Sequence, residues 1–163
     1  MSPHILVRPL VDKDVEEVRR LVLGIQNGEF GVPITLEAQP DLVDPAGYFR
    51  HGAGDIWVAE LAGEVVGVIA LIDIGAGDGA LRKMFVRADA RGAGLGAAKA
   101  LLDGLLAHAR AAGLRHIYLG TIEEFRAAHR FYEKHGFRLV PEADLPESFP
   151  LMGADTRFYG IDL

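Results

Sequence analysis

The sequence predicts a mixed α/β (α+β) domain whose helices cover both faces of a central, mostly antiparallel sheet. Three observations point to it. Between residues 56 and 86, three strand-length apolar runs follow one another across short glycine-bearing turns, a meander rather than a strand–helix–strand series. Two stretches with helical apolar spacing then alternate with further short strands. The 163 residues, half apolar and a quarter charged, suffice for a single domain, 1–163, with an ordinary core.

In chain order, Ile5-Leu6-Val7-Arg8 is a first strand ended by Pro9. Asp12 is a suitable N-cap for a helix carrying Val15, Val18, Leu21, Val22 and Ile25 on one face, and Asn27-Gly28 stops it. From 29 to 54 the pattern loosens around Pro33, Pro40 and Pro45, with one short helix over 45–50. Irregular segments on rigid scaffolds often carry binding, and a plain surface connection fits this one equally well. Strands follow over 56–61, 65–74 and 80–86, joined at Ala62-Gly63-Glu64 and across 75–79. Leu95, Ala98, Leu101, Leu102, Leu105, Leu106 and Ala109 then recur on one helix face. A strand over 115–119 leads to a second helix over about 123–135, capped by Gly136 in the left-handed conformation. A strand over 137–140, a polar loop over 141–155 and a last strand over 157–163 complete the chain.

Composition excludes several classes of function. The longest apolar run, 65–72, is far too short to span a bilayer. The opening Met1-Ser2-Pro3-His4 lacks a basic and an apolar leader region, so a cytoplasmic protein is expected. The absence of cysteine rules out disulfides, thiolate–zinc sites and a cysteine nucleophile. A net charge of −6 argues against a nucleic-acid partner.

The stretch Arg91-Gly92-Ala93-Gly94-Leu95-Gly96, running into Ala97, joins a strand to the first long helix. Its glycines permit positive φ and a close ligand approach. The N–H groups of the loop and first helical turn converge with the positive end of the helix dipole behind them, a receptor for phosphate or pyrophosphate. A plain structural turn explains the loop alone as readily. Gly92, Gly94 and Ala97 also fit a loose dinucleotide pattern, but the spacer 87–91 separates them from the strand and no acid closes the next strand at Gly120-Thr121. No Gly-Lys-Ser/Thr follows, which excludes a P-loop.

The second helix carries the long motif Ala127-Ala128-His129-Arg130-Phe131-Tyr132-Glu133-Lys134-His135-Gly136-Phe137. Together with Arg-x-x-Gly-x-Gly at 91–96, it resembles the GNAT N-acetyltransferase superfamily, and the element order matches over nearly the whole chain. The resemblance implies a GNAT-like acyl-CoA N-acyltransferase fold, acetyl-CoA as donor and an amine acceptor, small molecule or protein. By that resemblance, Arg91, Gly92, Ala93, Gly94, Leu95, Gly96 and Ala97 bind the CoA pyrophosphate. Met84, Phe85 and Val86 offer backbone groups to the pantetheine arm, and Tyr132 protonates the departing sulfur.

One position departs from the family: ahead of the tyrosine many members carry an Asn that contacts the cofactor arm, and here Phe125 stands there, expected on the helix face of Ala128, Tyr132 and His135. No motif marks a general base. Glu29, Asp73, Glu123 and Glu124 are candidates, each also readable as a surface carboxylate. No histidine spacing suggests a metal. A non-catalytic acyl-CoA sensor and a nicotinamide-dependent oxidoreductase remain alternatives. Segments 29–54 and 141–155 are expected to choose the acceptor, and pairing through the last strand or an exposed edge would make a homodimer.

Overall fold

The computed structural model describes residues 4–92 and 94–163. Strands β1 (Ile5–Pro9), β2 (Asp55–Leu61), β3 (Glu64–Gly75) and β4 (Asp78–Val86) pair antiparallel, each with the next. Beyond them lie β5 (His116–Thr121), the two-residue β6 (Arg138–Leu139) and β7 (Arg157–Asp162), and the sheet order is β1-β2-β3-β4-β5-β7-β6. The expected mixed, mostly antiparallel sheet is what forms. Among the described residues its one parallel joint is β4–β5, and that ladder covers only Asp78–His116, Gly79–Ile117 and Ala80–Tyr118. Past these pairs the two strands part.

Both faces of the sheet are covered because the central strands are apolar on both sides. In β2, Trp57 and Ala59 enter one core while Ile56 and Val58 enter the other. The first core is roofed by α4 (Ala97–Ala111), through Leu101, Leu102 and Leu105, and by α5 (Arg126–Lys134), through Tyr132. The second is closed by α1 (Val15–Leu23), α2 (Pro40–Val43) and α3 (Pro45–Phe49), through Val18, Val22, Leu42 and Phe49. Gly67 permits α4 to lie close, since a Cβ there would meet Leu101 Cδ1 at 2.9 Å.

Four local expectations need correction. Asp12 is not the cap of α1, because a 3₁₀ turn over Asp12–Asp14 precedes it. There the buried Asp14 accepts the Val11 N–H at 2.8 Å and pairs with Arg8 at 2.7 Å. Asn27-Gly28 does not stop the helix, which widens into a π-helical segment, Gly24–Glu29, sealed by the bond from Phe30 N–H to the Ile25 carbonyl at 3.0 Å. Helix α5 starts at Arg126 rather than 123. Phe125 therefore sits at its N-cap, not on the face of Tyr132, and its ring meets that of Phe30 edge-on at 4.7 Å.

Candidate active site

The site begins with an irregularity in β4. Its register against β3 slips between Phe85–Val68 and Arg82–Ala70, so one extra residue bulges out. Lys83 takes up the strain at φ +50, an uncommon value for a side-chain-bearing residue. The bulge lies just past the last β4–β5 pair, where the sheet opens. A cavity of about 520 Å³ enters this gap. Met84, Phe85 and Val86 line it from β4, Leu119 and Thr121 from β5, and Tyr132 from α5.

At one end the cavity reaches Arg91 and Gly92. Gly92 and Gly96 adopt φ +106 and +68, which glycine takes at no steric cost. A Cβ built at Gly92, Gly94 or Gly96 would meet no atom within 4 Å. Packing does not demand glycine at these places; a ligand lying against the backbone would. Leu95 packs partly against the core, and the Ala97 side chain is buried where α4 starts. Ala93 lies outside the described residues. Arg91 donates from Nε to the Val86 carbonyl at 2.8 Å and from Nη2 to Glu29 at 2.7 Å, clasping loop, strand and π-helical segment together.

Tyr132 is buried, its hydroxyl 3.6 Å from the Met84 sulfur, a weak acceptor. Burial pushes its pKa well above the ordinary tyrosine value, so the phenol keeps its proton.

The opposite end is lined by Arg82, Lys83 and Asp155, none of which the sequence marked as a site residue. Lys83 Nζ reaches Gln39 at 2.7 Å and the buried Asp41 at 3.2 Å, and burial lowers the lysine's pKa against the pull of Asp41. Gln39 exchanges amide hydrogen bonds with Gln26, tying α2 to the π-helical segment. Arg82, only 13% exposed, comes no nearer to Asp41 than 3.7 Å, and among the described residues its guanidinium makes no hydrogen bond. Asp155 lines the cavity beside them. Two adjacent cations inside an otherwise apolar strand run were the one available signal.

The four carboxylates considered as bases fare differently. Glu29 is held by Arg91, whose hydrogen bonds lower its pKa. Asp73 accepts the Ala53 and Gly75 N–H groups, both at 2.9 Å, and so builds a turn. Glu123 faces Arg157 at 3.7 Å. Glu124 alone reaches the cavity, at its exposed rim.

Residues 22–137 match the model of the acetyltransferase (GNAT) family. The chain belongs to the GNAT acetyltransferase family. An acetyltransferase of the GNAT family from Staphylococcus aureus Mu50 is 35% identical and superposes with a TM-score of 0.91, over 97% of this chain and 98% of that one. N-acetylaspartate synthetase of Danio rerio is 36% identical over 106 residues, which are 64% of this chain and 37% of that protein. The chain thus spans little more than a third of this curated relative. The GNAT fold alone is shared with N-acetylglutamate synthase from Neisseria gonorrhoeae, solved with coenzyme A and N-acetyl-glutamate, at a TM-score of 0.76 and 16% identity over 100% of this chain and 36% of that one. Among the described residues, no group of three or more His, Cys, Asp or Glu is placed to hold a metal ion, and no helix is long and apolar enough to cross a membrane.

Proposed function

We propose that this chain, one GNAT-like domain over 1–163, transfers the acetyl group of acetyl-CoA to the primary amine of a small, carboxylate-bearing acceptor such as an acidic amino acid. The observation that carries the reading is the cavity in the β4–β5 gap, which joins the glycine loop, the β4 edge and a buried, protonated tyrosine to Arg82, Lys83 and Asp155. Acetyl-CoA supplies a thioester whose carbonyl carbon is open to attack by nitrogen. Gly92, Gly94, Leu95 and Ala97 offer backbone N–H groups to its pyrophosphate; Gly96, whose N–H closes the loop onto the Gly92 carbonyl at 3.3 Å, shapes it, and Arg91, clasped by Glu29 and Val86, flanks it. Met84, Phe85 and Val86, freed from β5, present backbone groups to its amide-bearing arm. Tyr132 gives a proton to the leaving sulfur.

The acceptor follows from Arg82. Its guanidinium lines the cavity and donates to none of the described residues, so its N–H donors are open to a ligand's oxygens. A carboxylate does so in bidentate fashion. The names of the curated relatives, N-acetylaspartate synthetases, support the same class. No cysteine is available as a nucleophile, which favours direct attack. Holding both reactants in attack geometry can contribute ~7–11 kcal/mol of barrier reduction. We place the enzyme in the cytoplasm, and pairing of two copies through a free sheet edge belongs to the same reading.

Thiol release from acetyl-CoA tests the proposal, measured against L-aspartate, L-glutamate, spermidine and an N-terminal peptide. Release with the acidic amino acids first is expected. No release with any amine, despite tight coenzyme A binding, would favour the sensor; preference for spermidine would overturn the acceptor class.

A further inference from the structure

We propose that Asp155 is the general base, accepting the proton that the acceptor amine loses as it attacks; this rests on the transferase reading above. Asp155 ends the loop that follows β6. It is fixed there by its own N–H to the Met152 carbonyl at 2.9 Å and by Thr156 N–H to the Thr121 carbonyl of β5 at 3.0 Å. Its carboxylate fills the space that Gly120 leaves by having no side chain: a Cβ at Gly120 would lie 2.4 Å from Asp155 Oδ2. In β5, Ile117 and Leu119 enter the α4 and α5 core with Tyr132, whereas Tyr118 enters the small cluster of Phe149 and Phe158 on the other side. By strand alternation Gly120 faces with Tyr118. Asp155 and Tyr132 therefore reach the same cavity from opposite faces of the sheet, through the gap where β4 and β5 part. A proton acceptor for the incoming nitrogen and a proton donor for the departing sulfur belong on opposite sides of the reacting carbon.

The competing carboxylates are engaged or peripheral. Glu29, Asp73 and Glu123 are held by Arg91, by turn N–H groups and near Arg157, and Glu124 stands at the rim. Among the described residues Asp155 has no hydrogen bond or ion pair through its carboxylate. Burial raises its pKa, opposed by the charge of Arg82, so it is a stronger base than an ordinary carboxylate. The other charged groups lining the cavity are Lys83, Arg91, Glu124 and Arg126. In the step, Asp155 takes one proton from the neutral amine as the C–N bond forms. Tyr132 delivers one to sulfur as the C–S bond breaks with its electron pair on sulfur. Solvent then restores both residues, and nothing is oxidised or reduced.

The test compares wild type with Asp155→Asn, Asp155→Glu and Gly120→Ala in thiol release from acetyl-CoA with L-aspartate across pH 5–9. Acetyl-CoA affinity by calorimetry serves as the check on folding. Asp155→Asn is expected to lose about 100- to 10,000-fold in kcat, with acetyl-CoA affinity kept and the carboxylate limb of the pH profile gone. Asp155→Glu should recover part of the rate, and Gly120→Ala, which displaces the carboxylate, should lose much of it. If Asp155→Asn raises KM for L-aspartate while kcat and the pH profile stay, Asp155 only binds the ammonium and the proposal falls. Turnover within threefold of wild type overturns it too. A wild type that releases no thiol with any amine overturns the transferase reading itself, and the base with it.

Discussion

The two ends of the cavity are built from different materials. The end at the glycine loop comes from near neighbours in the chain, Met84, Phe85, Val86, Arg91 and Gly92, and on the proposed reading it serves the donor chiefly through main-chain groups. The other end is side chain, lined by Arg82, Lys83 and Asp155 and backed by Gln39 and Asp41, which come from separate segments of the chain. Main chain offers the same donors whatever the sequence, so a run of this kind suits a ligand shared by a whole family. Side chains from separate segments vary independently, which suits a partner peculiar to each member. On the proposed reading the first end holds the donor and the second the acceptor.

Mutations separate the two ends. Tyr132→Phe, at their meeting point, is expected to lower kcat by about 100-fold or more through loss of the proton donor, with neither ligand's affinity much altered; steady-state rates beside calorimetry check this. Arg82→Gln should raise KM for an acidic acceptor roughly 10- to 100-fold, the worth of a charge-assisted hydrogen bond, and leave acetyl-CoA affinity alone. If acetyl-CoA affinity falls instead, the division between the ends is wrong. Gly94→Ala makes the reverse case. It has an ordinary φ and open space around it, so the fold should keep its Tm while acetyl-CoA binds about tenfold more weakly. Gly67→Ala, pressed against Leu101, should instead destabilise by ~1–3 kcal/mol.

The smallest effect lies outside both ends. Hydrogen bonds from Arg8 hold the pKa of Asp14 below the ordinary carboxylate value. A depressed folded-state pKa contributes stability that is present above the unfolded value, near 3.9, and is lost as pH falls through the folded one. Asp14→Asn should cost about 1–2 kcal/mol at neutral pH and flatten that part of acid unfolding, followed by circular dichroism.

The same division explains what was legible in the sequence. The meander, α4 and the glycine loop were readable because apolar period, turn residues and glycine spacing are local signals. Helix α2 was not, since the four residues of Pro40–Val43 are too few to show a period. The start of α5 was placed early, at about 123, because the contact of Phe125 with Phe30, distant in sequence, leaves no local sign, and the helix begins after it. The bulge at Lys83 had no glycine or proline to announce it. Asp155 was one acid among several in a polar loop, and only the missing side chain of Gly120, far from it in sequence, sets it apart.

Three ladder pairs join β4 to β5, and they are the only strand pairing between the two leaves of the sheet among the described residues. A molecule wedged into the gap beyond that seam would act as mortar. Occupancy should therefore be written into the melting temperature: a ligand at a hundred times its Kd adds ~2.7 kcal/mol to the folded state. A thermal-shift screen of thioesters with amines would then rank substrates before any turnover had been seen.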